Sequence, residues 1–144
     1  MTRVDDVINT AGHRISTGRL EEVVNEHDAV VESAVVAFND EVRGECPLAY
    51  VILRGAGIRE MSNQQVETLK KEINTKMRTD VGAFARLHGI IFMERLPKTR
   101  SGKILRGTIK SITNNQPYKT PSTIEDLAAL DEIDAAIKAF LQSP

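Results

Sequence analysis

Residues 97–110, PKTRSGKILRGTIK, carry Lys98, Arg100, Lys103, Arg106 and Lys110 with no acid among them. Thr99, Ser101 and Gly102 stand between the charges. Glycine lets main chain approach a ligand closely. Small hydroxyls and free amides at a helix start donate to anions, and Lys103 adds a mobile ammonium on a long stem. This composition suits holding phosphate or carboxylate oxygens. A solvated basic loop has the same composition, and the residues alone leave both readings open. A P-loop is excluded on spacing: with Gly102-Lys103 as its end, the first glycine would fall at Pro97, and Ile104 stands where Ser or Thr is required.

A second segment, Arg3-Val4-Asp5-Asp6-Val7-Ile8-Asn9-Thr10-Ala11-Gly12-His13-Arg14, pairs two carboxylates ahead of a small-residue turn. Adjacent strand residues point to opposite faces, so Asp5 and Asp6 do not share a ligand. Thr10-Ala11-Gly12 can bring main chain against a ligand with Arg14 beside it; a hairpin turn with surface charges is the plainer reading. His13, His27 and His88 lie too far apart in sequence to form a zinc signature. Cys46 has no neighbouring motif and reads as structural.

The elements that position these residues alternate. Val4 to Asn9 is a short extended segment. Thr17-Gly18 starts a helix to about His27, with Leu20, Val23 and Val24 on one face. Residues 33–38 and 48–53 read as buried strands, the second closed by Gly55 and Gly57. Ser62 and Gln65 form a capping box for a helix to about Arg78, with Val66, Leu69, Ile73 and Met77 at helical spacing. Gly89–Met93 is a third strand. A short helix is expected from Lys103 to about Ser111, then a polar turn at Asn114-Asn115-Gln116-Pro117. Ser122 and Glu125 read as a second capping box ahead of a final helix to about Leu141, with Leu127, Leu130, Ile133, Ile137 and Phe140 on one face. The fold class is α+β: a small central sheet of about three strands flanked by helices, with a short N-terminal hairpin.

The 144 residues leave room for one domain. Hydrophobic residues at 41% and charged ones at 27% match an ordinary globular domain. A net charge of −1 lacks the basic excess of a nucleic-acid binder, and the few aromatics lack the stacking surface of an RNA-binding one. One cysteine excludes an internal disulfide and suits a reducing, intracellular compartment. No stretch approaches the roughly 20 apolar residues of a membrane span. The chain opens two residues ahead of a charged cluster, as a cut in a longer protein would.

RVDDVINTAGHRIS followed some ninety residues later by LPKTRSGKILR resembles the C-terminal domain of the adenylate-forming acyl-CoA synthetases, over essentially the whole chain. That superfamily also holds luciferases and peptide-synthetase adenylation domains. The likeness is greatest to the short-chain branch, the acetyl- and propionyl-CoA synthetases, and PYKTPSTIEDLAAL resembles the propionyl-type members.

The resemblance implies a two-step ligase: a carboxylic acid and ATP give acyl-adenylate and pyrophosphate, then coenzyme A displaces AMP. This chain would be the mobile C-terminal lid over residues 1–144, hinged near Asp5, working against an N-terminal adenylation domain outside it. That domain would set the acid, and the lid alone would be inactive. By the same resemblance Lys103 is the catalytic lysine of adenylation. Arg3 meets the nucleotide ribose and Arg14 its phosphates. Ala11 and Gly12 line the pantetheine tunnel, and Arg78 meets the CoA 3′-phosphate. Asn25, His27 and Val30 fall where some relatives hold Mg²⁺, largely through main-chain oxygens. The implied ligands are ATP, Mg²⁺, coenzyme A and propionate or acetate, in the cytoplasm or mitochondrial matrix, with no nucleic acid or membrane partner. Thr2 and Ala11 depart from the family's usual Gly and from the Ser common in acetyl-CoA synthetases. A free-standing anion-binding module using residues 97–110 is the alternative from another class.

Overall fold

The computed structural model describes residues 7–10, 12–55 and 60–142. Thr2, Arg3, Asp5, Ala11 and Gly57 lie outside the described residues. The order is β1 (Val7–Thr10), β2 (His13–Ser16), α1 (Thr17–Asn25), β3 (Val30–Asp40), β4 (Gly44–Leu53), α2 (Asn63–Asp80), β5 (Gly89–Met93), α3 (Arg106–Thr113) and α4 (Ala128–Gln142), with a short 3₁₀ turn at Ala83–Ala85.

Two sheets form. β1 and β2 make an antiparallel hairpin in which Ile8 faces Ile15 and Asn9 faces Arg14. The main sheet has the order β3-β4-β5; β3 and β4 are antiparallel, and β5 runs parallel to β4 after the α2 crossover. The strands read as unbroken apolar runs because both faces are covered. Val35, Ala37, Ala49, Val51 and Ile90 turn to one side, where Leu20, Val23 and Val24 of α1, Leu69, Ile73 and Met77 of α2, and Ile8 and Ile15 of the hairpin complete a core. Their neighbours Ala34, Val36, Leu48, Tyr50 and Ile91 turn to the other, against Ile109 and Ile112 of α3 and Leu130, Ile133 and Ile137 of α4. Period-two alternation thus sorts each strand between two cores.

The expected sheet strands and the first two helices are present; of the extended segment expected from Val4 to Asn9, residues 4–6 lie outside the described residues and the rest is in β1. β3 and β4 run further toward their shared turn than expected, since Asp40 Oδ1 accepts from the amides of Val42 (2.8 Å) and Arg43 (3.3 Å) and closes that turn locally. At Ser62 both capping bonds form: Gln65 N donates to Ser62 Oγ, and Ser62 N to Gln65 Oε1.

Two helix starts need correction. α3 begins at Arg106, not Lys103, because residues 97–105 close on themselves: Leu105 N donates to Pro97 O (2.9 Å) and Thr99 N to Lys103 O (2.9 Å). α4 begins at Ala128, not at Ser122. The main chain of residues 123–125 is taken by the basic loop, with Arg100 N donating to Thr123 O and Glu125 N to Lys98 O, both at 2.8 Å. The amide of Ala128 instead finds Asp126 Oδ1 at 2.9 Å. Leu127 consequently lies ahead of the helix and is 60% exposed rather than on its buried face.

Candidate functional site

The sequence places five cations in residues 97–110, and the fold sorts them by partner. Lys98 and Ile104 bridge, and Gly102, at φ +91°, lets the chain reverse between them. Gly102 N donates to Thr99 O (2.9 Å), Lys103 N to Thr99 Oγ1 (3.1 Å), and the hydroxyls of Thr99 and Ser101 bond at 2.9 Å. Ile124 pairs with Thr99 from outside, so the loop is braced on two sides.

Lys98 is spent on Glu32 at 2.8 Å. Arg106 lies bidentate against Glu21, with bonds of 2.6 and 2.8 Å. Lys103 is exposed at the loop's tip, and its ammonium has no ion pair or hydrogen bond among the described residues. The acids thus hold the loop's base and leave Lys103, together with Arg100 and Lys110, without an acid partner among the described residues; Lys103 is the one that follows Gly102 at the reversal of a fixed main chain. Such a group suits developing negative charge on a phosphoryl or carboxyl oxygen. The amides expected at a helix start are not there: α3 opens three residues further on, and the amides of Gly102, Lys103 and Leu105 are bonded within the loop.

Glu21 was not singled out in the sequence. It is 5% exposed and also accepts from Val35 N at 2.9 Å. Its signal is positional: a carboxylate between Leu20 and Val24 on a helix flank that is otherwise apolar.

Arg14 is exposed on β2, on the hairpin face opposite Ile15. The hairpin is fixed to the sheet where Asn9 N donates to Glu45 Oε1 (2.8 Å), and to the 3₁₀ turn where His13 stacks on Phe84 at 3.9 Å. Gly12 turns the hairpin at φ +80°, and a Cβ there would meet nothing within 4 Å, so its surroundings are open. Arg78, in the last turn of α2, stands on a groove of about 730 Å³ with Lys70, Lys71 and Arg86 against one acid, Glu67. No hydrogen bond or ion pair joins any two of Arg14, Arg78 and Lys103.

Asn25, His27 and Val30 sit together at the connection from α1 to β3. Their side chains are committed elsewhere: Asn25 Oδ1 accepts from Ser33 Oγ (2.8 Å), and the His27 ring meets Glu72 (2.9 Å) and Ala29 N (3.0 Å). His27 O already accepts from Val30 N. A hard cation there would rest on main-chain carbonyls, since these side chains offer it no free carboxylate.

Residues 19–103, more than half the chain, match the family described as AMP-binding enzyme C-terminal domain. Over 141 residues the chain is 42% identical to acyl-CoA synthetase short-chain family member 3, mitochondrial, of Rattus norvegicus, covering 98% of this chain and 20% of that protein. It is 40% identical over 138 residues to an acetyl-coenzyme A synthetase of Campylobacter jejuni, covering 95% of this chain and 21% of that one. Among solved structures, a Brucella canis acyl-CoA synthetase superposes with a TM-score of 0.65 at 35% identity, covering 77% of this chain and 19% of that one. The chain therefore spans about a fifth of the length of the proteins it matches. These likenesses run through synthetases several times its length and lend no support to a free-standing anion-binding module.

Proposed function

The chain belongs to the family of C-terminal domains of AMP-binding enzymes, and on that premise we propose that it is the catalytic lid of an AMP-forming short-chain acyl-CoA ligase. The acid is propionate or acetate. In the first half-reaction a carboxylate oxygen attacks the α-phosphorus of ATP and pyrophosphate leaves. In the second, the thiol of coenzyme A loses its proton, attacks the acyl carbon, and AMP leaves. The lid turns about Asp5 between the two and offers a different face to each. Its partner is an N-terminal adenylation domain, which holds the acyl pocket. Without that domain the 144 residues make no thioester. The compartment is the cytoplasm or the mitochondrial matrix.

Lys103 acts in the first half, its ammonium offsetting charge that builds on the α-phosphate and the attacking carboxylate. The single observation that carries this role is the place of Lys103 in the loop: Lys98 and Arg106 are neutralised by Glu32 and Glu21, whereas Lys103 follows Gly102 at the exposed reversal and, like Arg100 and Lys110, has no acid partner among the described residues. Arg14 serves the nucleotide phosphates and Arg3 the ribose. Ala11 and Gly12 line the path of the pantetheine arm, which accords with the open space around Gly12. Arg78 meets the 3′-phosphate of CoA, and its cationic groove supports that reading. Mg²⁺ enters with the phosphates of ATP and supplies charge neutralisation there. Asn25, His27 and Val30 would hold a second Mg²⁺ only through carbonyl oxygens.

The test joins this chain to its adenylation domain and replaces Lys103→Ala. Acid-dependent exchange of pyrophosphate into ATP should fall by about a hundredfold or more, the usual loss of a transition-state donor. Thioester formation from pre-made acyl-adenylate and CoA should survive. Survival of both activities would remove Lys103 from the chemistry.

A further inference from the structure

The end of the main sheet assembles three metal-ligating side chains from three strands. Asp40 closes β3, Cys46 lies near the start of β4, and His88 immediately precedes β5. Their ligand atoms all lie within 4.8 Å of one another. We propose that Asp40, Cys46 and His88 bind a single zinc-class divalent ion, with the fourth position left to water.

Sheet register accounts for the meeting. Asp40 pairs with Gly44 across the hairpin, and Cys46 pairs with Phe38 on the same ladder. Parallel pairing sets Gly89 opposite Leu48, and His88 N donates to Pro47 O at 2.7 Å, one residue from Cys46. His88 and Asp40 are also held in their orientation. The His88 ring stacks on Phe38 (centroids 4.9 Å apart, planes 17°) and meets Phe140 edge-on at 5.9 Å. Asp40 Oδ1 is bound by two turn amides, so ligation falls to Oδ2.

The donor set chooses the ion. A thiolate, an imidazole and one carboxylate form a borderline-soft set that suits Zn²⁺ and ill suits the oxygen-seeking Mg²⁺ or Ca²⁺. Zinc bonds of about 2.0–2.3 Å require the ligand atoms to close on one another by about an ångström, within reach of side-chain rotation. Cys46 is only 4% exposed, while Asp40 and His88 are half-buried and open outward, which gives the ion an entry path. A cysteine outside a metal site is an S–H thiol at neutral pH. Ligation breaks that S–H bond, forms S–Zn and releases one proton to solvent; no electrons are transferred. In the free protein Cys46 Sγ lies 4.0 Å from Gly44 O, a long contact that ligation replaces.

Cobalt reports on such a site directly, because a thiolate ligand gives Co²⁺ a near-ultraviolet charge-transfer band. The chelator-treated chain should bind one equivalent of Co²⁺ with that band, and Zn²⁺ should displace it. Cys46→Ser should abolish the band, and Asp40→Asn and His88→Ala should each weaken binding by about tenfold or more. Absence of the band in the unmutated chain with excess Co²⁺ would overturn the proposal without recourse to any variant. So would a band whose affinity is unchanged in both Asp40→Asn and His88→Ala.

Discussion

Tyr50, buried at the centre of β4, hydrogen-bonds Thr113 Oγ1 at 2.7 Å. Thr113 spends its own proton on Ile109 O at 2.7 Å, so the phenol is the donor in the pair. Burial pushes the Tyr50 pKa from its ordinary 10 up to about 12. Below pH 10 the phenol is neutral in both folded and unfolded chains, and the contribution is complete. Between 10 and about 12 only the unfolded chain releases the proton, so stability falls as pH rises through that window. Urea midpoints measured across it should drop. Tyr50→Phe should flatten the drop, at a cost of about 1 kcal/mol near neutrality for the lost bond. The drop persisting undiminished in the variant would put its origin elsewhere.

At the scale of elements, two similar four-residue patterns meet different fates. Ser62 and Gln65 exchange both bonds of a capping box and start α2. Ser122 and Glu125 satisfy the same pattern, yet the segment pairs with the basic loop through Thr99 and Ile124, and α4 waits until Ala128. Ser62→Ala should therefore cost about 1 kcal/mol, the usual loss of an N-cap. Ser122→Ala should leave the urea midpoint where it was. Asp126→Ala should lower helical circular dichroism and thermal midpoint together, because Asp126 accepts from Ala128 N and pairs with Arg95, which also binds Glu132. A larger loss at Ser122 than at Ser62 would contradict this assignment.

For the molecule as a whole, the outer edge of β3 needs cover, since an unpaired strand edge invites association, and Asn114 already binds Asn39 N and Ala37 O there. Glu21 covers it, taking Val35 N from the edge and Arg106 from the far layer. α1 packs on one face of the sheet and α3 on the other, so this ion pair clips both layers around the edge. Glu21 is 6% and Arg106 20% exposed at the side chain, so removing one partner strands a largely buried charge. Glu21→Ala should lower unfolding free energy by about 3 kcal/mol, read from denaturant midpoints, and should raise self-association at high concentration in sedimentation. A loss no larger than that of a surface ion pair would show that the clip carries little.

Local order is legible in the sequence itself. The apolar runs at 33–38, 48–53 and 89–93, the helical spacing of Leu69, Ile73 and Met77, and the box at Ser62 each announce an element, because periodicity and capping act within a few residues. The paired motifs around Arg14 and Lys103 carried the family for the same reason: each is a contiguous string. Tertiary structure decided the rest. It drew 123–125 onto the basic loop and so moved two helix starts. It neutralised Lys98 and Arg106 while leaving Lys103 exposed, a partition no count of charges contains. It also brought Cys46, which reads as structural, and His88, too far in sequence from any other histidine, to within 4.8 Å of Asp40. Electrostatics and ligation depend on distances of a few ångströms, and strand register, not sequence spacing, sets those distances.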